Sequence, residues 1–351
     1  MILRSGYTTG ACAAAAAKAA AMCLCDGSAP TQVEIALPEG TRVWFPVVDC
    51  GPIDGGARAS VRKDAGDDPD VTHQSLIVVT VSYVEGGEIL FAAGEGVGTV
   101  TKPGLSIPPG EPAINPVPRR MIREALREVT PLGLRVTVSI PGGRELAERT
   151  FNPRLGIEGG LSIIGTIGIV KPFSAPALTA SLQCGLDVAA ASGVRAPVLV
   201  PGNIGERAAL KNLRLDPGQI IQVSNHWGFM LSQAAIEARF TDLLVMGHPG
   251  KLAKLTDGEW DTHSSSSASA VGAVVRIGRG LLDESAAEST TVEGIFAACD
   301  AERAARLGDA LAAAVHAAIT GRIGPAKGLA VVLVNLAGDI LGTHGELTLW
   351  K

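Results

Sequence analysis

Between residues 197 and 251 the chain repeats one pattern three times: a short apolar run, a turn carrying glycine or asparagine, then a helical segment. Pro197-Val198-Leu199-Val200 passes through Pro201-Gly202-Asn203-Ile204-Gly205 into a helix from Glu206. Ile220-Ile221-Gln222-Val223 passes through Ser224-Asn225-His226-Trp227-Gly228 into a helix to about residue 240, and Leu243-Leu244-Val245-Met246 through Gly247-His248-Pro249-Gly250-Lys251 into another. Tight hairpins join antiparallel strands, whereas strands separated by helices run the same way. The repeat therefore restricts this half to a parallel sheet with crossover helices. A helix over 175–191 precedes the sheet; a helix over 301–320 and a strand over 330–334 complete it.

The first half lacks that rhythm. Strands are expected over 33–37 and 43–48 around the turn Pro38-Glu39-Gly40, and the strand 76–83 is expected to pair with 89–92 across Glu85-Gly86-Gly87. A helix over 118–129 and a strand over 134–140 follow. At 351 residues one core is too few, so two domains are expected. The division is an α+β domain with a largely antiparallel sheet over 1–153 and an α/β domain with a mainly parallel sheet over 154–351. The linker is Asn152-Pro153-Arg154-Leu155-Gly156-Ile157-Glu158-Gly159-Gly160, and a strand broken by glycines is expected over 161–170.

Composition narrows the function classes. A net charge of -5 argues against nucleic-acid or membrane-surface partners. The alanine run 13–21, interrupted only by Lys18, lacks the leucine-rich centre of a signal peptide, and no stretch is apolar enough to span a bilayer, so a cytoplasmic protein is expected. The six cysteines show no paired metal spacing and read as reduced thiols; no metal site is expected.

Chemistry concentrates in Lys63-Asp64-Ala65-Gly66-Asp67-Asp68-Pro69-Asp70-Val71-Thr72-His73. Proline denies a helix there, so the carboxylates of Asp68 and Asp70 and the ring of His73 are placed on a loop at a strand mouth. A solvated turn is the competing reading, because Asp, Pro and Gly are ordinary turn formers. The EF-hand spacing is absent. Thr8 and Thr9, in Gly6-Tyr7-Thr8-Thr9-Gly10, open a helix over 11–25 whose free amides suit an anion, or they simply cap it. Lys102, Asn115 and Arg119 sit on a proline-rich loop that reads as a ligand clamp or as a stiff connector. Gly94-Glu95-Gly96-Val97-Gly98 departs from the dinucleotide fingerprint, and Gly-His-Pro-Gly-Lys-Leu from the P-loop. The strand-end turns place Gly202, Asn203, Gly205, Asn225, Gly247, His248, Gly250 and Lys251 along one edge, where open α/β sheets bind ligands, and an adenine-bearing molecule is one occupant that suits it.

These motifs, with Glu111-Pro112-Ala113-Ile114-Asn115-Pro116-Val117-Pro118-Arg119 and Thr150-Phe151-Asn152-Pro153-Arg154-Leu155-Gly156-Ile157, resemble those of the cobalt-precorrin-5B C1-methyltransferase family, the CbiD family of anaerobic cobalamin biosynthesis. Asp261, where that family has Asn, and the serine run 264–267 depart from the pattern around His263. The resemblance implies methyl transfer from S-adenosylmethionine to C1 of a carboxylate-bearing corrinoid. A corrinoid is expected on the first domain, met by Thr8, Thr9, Lys18, Lys63, Lys102, Asn115, Arg119 and Arg154, with Asp68, Asp70 or His73 as base or ring-orienting group. S-adenosylmethionine is then expected on the strand-end residues of the second. Asn at 68 or 70 is expected to impair turnover more than folding. A corrinoid carrier without catalysis is the alternative; self-association and transient contact with neighbouring pathway enzymes are left open.

Overall fold

The computed structural model describes residues 3–325 and 327–351, in two compact units that divide between Pro176 and Ala177. The division falls later than the expected 153/154, because the chain beyond 153 still pairs with the first unit. Ile157–Glu158 lies antiparallel to Thr99–Val100, and Ile169–Val170 to Gly6–Tyr7. Of the strand expected over 161–170, only Ile169–Val170 forms, with isolated bridges at Leu161 and Ile163.

The first unit is built around the helix Thr9–Asp26. Its alanines from Ala11 to Ala21 are all buried. A helix apolar on every side is stable only when surrounded. Here the methyl-sized side chains let the strands Gly56–Arg62 and Leu76–Tyr83 and the helix Pro116–Arg127 close on it from several directions. Thr8 caps it by accepting from the Ala11 amide, and Gly27 ends it in the left-handed conformation (φ 77°).

The five-stranded sheet of this unit runs in the order Asp49–Ile53, Gly56–Arg62, Leu76–Tyr83, Leu134–Ser139, Ile89–Ala93. The expected pairing of 76–83 with 89–92 does not form. Leu134–Ser139 inserts between them, antiparallel to Leu76–Tyr83 and parallel to Ile89–Ala93. Its alternating Leu134, Val136 and Val138 are fully buried, so a central position hides more apolar surface than a hairpin of its neighbours could. The hairpin Asp49–Ile53 with Gly56–Arg62 turns through Asp54-Gly55.

In the second unit the sheet order is Ile220–Gln222, Val198–Val200, Asp242–Gly247, Gly328–Val334, Ile340–His344. The first four strands are parallel, as the repeat demands, and Ile340–His344 adds an antiparallel edge. From Val198–Val200 the chain moves to one side for its next strand and to the other for Asp242–Gly247. The sheet therefore has a topological switch point between those two strand ends. Among the described residues no helix is long and apolar enough to cross a membrane.

Candidate functional site

In the first unit the acidic loop is held from within. Lys63 is 1% exposed and its ammonium meets Asp70 Oδ2 at 2.7 Å, while Asp70 Oδ1 accepts from the Thr72 amide (2.7 Å) and hydroxyl (2.6 Å). Burial pushes the Asp70 carboxyl up, but the Lys63 charge and these hydrogen bonds outweigh it and hold the group below its ordinary range. Both oxygens are thus engaged in closing the loop. His73 Nδ1 accepts from the Ala65 amide (3.1 Å), which places the proton of the neutral ring on Nε2. Asp68 differs: Oδ1 accepts from the Phe173 amide (2.9 Å), and Oδ2 has no partner among the described residues.

Of the other cations expected to meet an anionic ligand, Lys18 and Arg119 have carboxylates of their own. Lys18 pairs with Glu128 and donates to the Glu34 carbonyl (2.8 Å). Arg119 donates to Glu111 and to the Ile114 and Pro112 carbonyls, with its guanidinium over the Phe91 ring. Arg4 grips Asp64 with two nitrogens, and with the Gly66 amide it lowers that carboxyl to about 2. Thr8 is occupied as a cap, and the Thr9 hydroxyl exchanges hydrogen bonds with the backbone of Ile164. Asn115 precedes its helix without a side-chain cap bond, Lys102 is half-buried, and Arg154 lies exposed in the turn after Pro153. The motifs do converge. Ser5 bridges to Gly66, and a Cβ on Gly6 would meet the Ala65 carbonyl carbon at 2.2 Å. One on Gly10 would meet Pro118 at 2.7 Å, so the backbone of 5–10 wedges between the acidic loop and the proline clamp.

A cavity of about 420 Å³ opens on the same unit. Its floor is the meeting of three backbone segments at Gly96, which takes φ +69°. A Cβ on Gly96 would lie 2.0 Å from the Ile140 oxygen, and one on Gly143 or Gly160 would lie 2.3 or 2.2 Å from the Gly96 oxygen. Glu95, Arg144, Glu145 and Glu158 stand around it. These four escape sequence reasoning. The signal was present in Gly94-Glu95-Gly96-Val97-Gly98, but the dinucleotide comparison tests only one use of clustered glycines.

In the second unit the expected strand-end residues gather at the switch point. A Cβ on Gly247 would meet Pro201 at 2.8 Å, and one on Gly205 would meet Val200 at 2.9 Å, so the two turns touch. Gly202 precedes the helix Asn203–Asn212, and Gln222 donates to Asn203 Oδ1 (2.8 Å). His248 Nδ1 accepts from the Gly250 amide (3.0 Å) and Nε2 faces Glu293 Oε1 (3.2 Å). Burial holds His248 below its ordinary value, against the pull of Glu293. Lys251 donates to Asn225 Oδ1, which also faces the Thr262 hydroxyl (3.4 Å). Lys254 is 9% exposed and donates to Ser267 Oγ (2.9 Å). Neither lysine has a carboxylate within ion-pairing distance among the described residues; burial and then Lys254 depress the Lys251 ammonium, with Asp261 opposing.

A family model described as CbiD matches residues 1–172, nearly the whole first unit. A protein of Syntrophotalea carbinolica named cobalt-precorrin-5B C(1)-methyltransferase is 53% identical over 349 residues, 99% of each chain. One of the same name from Moorella thermoacetica is 44% identical over 352 residues, 97% of this chain and 94% of the other. A crystal structure of a cobalamin biosynthesis protein (cbiD) from Archaeoglobus fulgidus is 28% identical, with a TM-score of 0.41 over 74% of this chain and 82% of that one.

Proposed function

The chain belongs to the cobalt-precorrin-5B C(1)-methyltransferase family, and from that premise we propose that it methylates C1 of cobalt-precorrin-5B with S-adenosylmethionine as donor. Identity of 53% along the whole length to a relative of that name is the observation that carries the reading. The cytoplasm is the proposed location.

Transfer from a sulfonium is a displacement: the ring carbon's electron pair forms the new C–C bond, the S–CH₃ bond breaks, and its pair stays on sulfur as the thioether. The protein's part is to align the two partners and to manage the charge left on the ring. Methylation of a neutral ring adds a positive charge that the loss of a proton removes. Asp68 is the proton acceptor in this reading, because of the three candidates it alone keeps an unengaged carboxylate oxygen. Asp70 and His73 shape the loop that presents it.

Charge guides the placement of the corrinoid's carboxylates. Lys18, Lys63 and Arg119 already face carboxylates in the first unit, so Lys102, which has no ion pair among the described residues, is the cation there that is open to a corrinoid carboxylate. In the second unit Lys251 beside Asn225 and Lys254 beside Ser267 have no carboxylate within ion-pairing distance among the described residues and suit an anionic group of a ligand, and the touching turns at Gly202–Gly205 and Gly247–Gly250 give a backbone close approach. Labelled methyl transfer from S-adenosylmethionine to cobalt-precorrin-5B tests the function: incorporation at C1 is the expected result. Tight corrinoid binding with no transfer would establish a carrier instead.

A further inference from the structure

Resting on the corrinoid substrate named above, we propose that Phe173 is a ring-binding residue: its side chain is the platform on which one face of the macrocycle stacks beside Asp68. Neither charge nor motif marks this residue. Its backbone conformation does.

Phe173 takes φ +54° and is 71% exposed. A bulky side chain in the left-handed region carries a steric cost that glycine avoids. The chain just before it uses glycine at such positions, Gly165 (φ +134°) and Gly168 (φ +79°), so glycine is the ordinary solution here. A single exposed apolar side chain needs no explanation in itself. One that is also held in a strained conformation is disfavoured twice over, and residues so held gather at functional sites.

The surroundings say what the position serves. Three non-glycine residues have positive φ among the described residues: Gln74, Phe173 and Ser224. The first two adjoin the acidic loop. The Gln74 amide donates to the Lys63 carbonyl (2.8 Å), and the Phe173 amide donates to Asp68 Oδ1 (2.9 Å). That bond ties the strained backbone to the carboxylate whose other oxygen is unengaged. The Arg4 amide donates to Asp67 Oδ2 (2.7 Å) and the Asp67 amide to the Arg4 carbonyl (2.9 Å), which brings exposed Leu3 to the same loop. Ile164 and Ile167 are exposed too, on the segment whose backbone Thr9 and Gly10 bond.

A merely solvated acidic turn has no use for apolar side chains on two segments beside it. A flat, conjugated ligand does, because stacking on a phenyl ring fixes its plane while polar groups act at its edge. In this arrangement Phe173 meets the face of the macrocycle and Asp68 its rim.

Steady-state kinetics and urea unfolding of the full chain test the assignment. Phe173→Gly removes the ring and the strain together, so the unfolding midpoint should not fall. The KM for cobalt-precorrin-5B should rise about tenfold and that for S-adenosylmethionine change by less than about twofold. A purely structural role would not divide the two substrates in this way. Phe173→Trp keeps an aromatic face and should recover corrinoid affinity, whereas Phe173→Leu should recover only part of it. An unchanged corrinoid KM in Phe173→Gly overturns the proposal, as does an equal rise for both substrates or a midpoint that falls in step with activity. Absorbance titration with cobalt-precorrin-5B separates this from the function itself. A parent chain that binds the corrinoid without methylating it overturns the methyltransferase reading, while weaker binding by Phe173→Gly would still support the platform. A parent that binds no corrinoid overturns both.

Discussion

The acidic loop region of the first unit and the strand-end rim of the second handle charge in opposite ways. In the first, Lys63, Lys18, Arg119 and Arg4 each face a carboxylate of the same unit. In the second, Lys251 and Lys254 face only amide and hydroxyl oxygens. A dense run of charge in a sequence therefore marks a folding device in one place, while in another scattered charges left over by folding mark the ligand. What separates the two is whether the fold supplies a counter-ion.

Breaking the Lys63–Asp70 pair is the most direct attack on this contrast. Asp70→Ala leaves a buried ammonium uncompensated and should cost about 3–5 kcal/mol of stability in urea unfolding. Unchanged stability with lost turnover would return Asp70 to the catalytic list. Asp68→Asn should do the reverse: turnover with saturating corrinoid falls about 100-fold or more while the unfolding midpoint stays near the parent value. A variant with full rate removes Asp68 as the proton acceptor.

Smaller effects probe the second unit. Lys254→Met, close in volume, should raise the KM for the substrate held at the strand-end rim about tenfold and leave kcat little changed, since a charge-assisted contact to a carboxylate is removed from ground state and transition state alike. An unaltered KM would show that the lysine only fills space. Acidification supplies the mildest test. His248 and His316 are both held below their ordinary 6.5, chiefly by burial, so the unfolded chain binds more protons at these positions than the folded one. Their contribution is complete above pH 6.5 and is lost as pH falls through and below it. A midpoint that does not decline over that range in the parent, or declines equally in a His248→Gln/His316→Gln variant, would exclude them as the cause.

Much of the second unit was legible. Its three repeats place strands and turns where the structure has them, and the edge from Gly202 to Lys251 forms as expected, because each step depends on neighbours in sequence. The first unit was less so. The central helix follows from its alanines and Thr8, whereas the hairpin 49–62 is marked in the sequence only by Asp54-Gly55, a standard hairpin cue. The two-residue pairings of 157–158 and 169–170 leave too short a pattern to read. The site divides likewise. The convergence of residues 5–10 with the acidic loop and the proline clamp was anticipated, whereas the engagement of Lys18, Lys63 and Arg119 by distant or buried partners was not.

By itself the sequence determined the family, the parallel sheet and the helix around which the first unit packs, since periodicity and small-residue composition act over a few turns or strands. Only the tertiary structure decided that Leu134–Ser139 separates two strands adjacent in sequence, and which charges keep a partner. Both are non-local choices: a strand goes where it buries most, and a charge is free only when no opposite charge elsewhere in the chain has been folded against it.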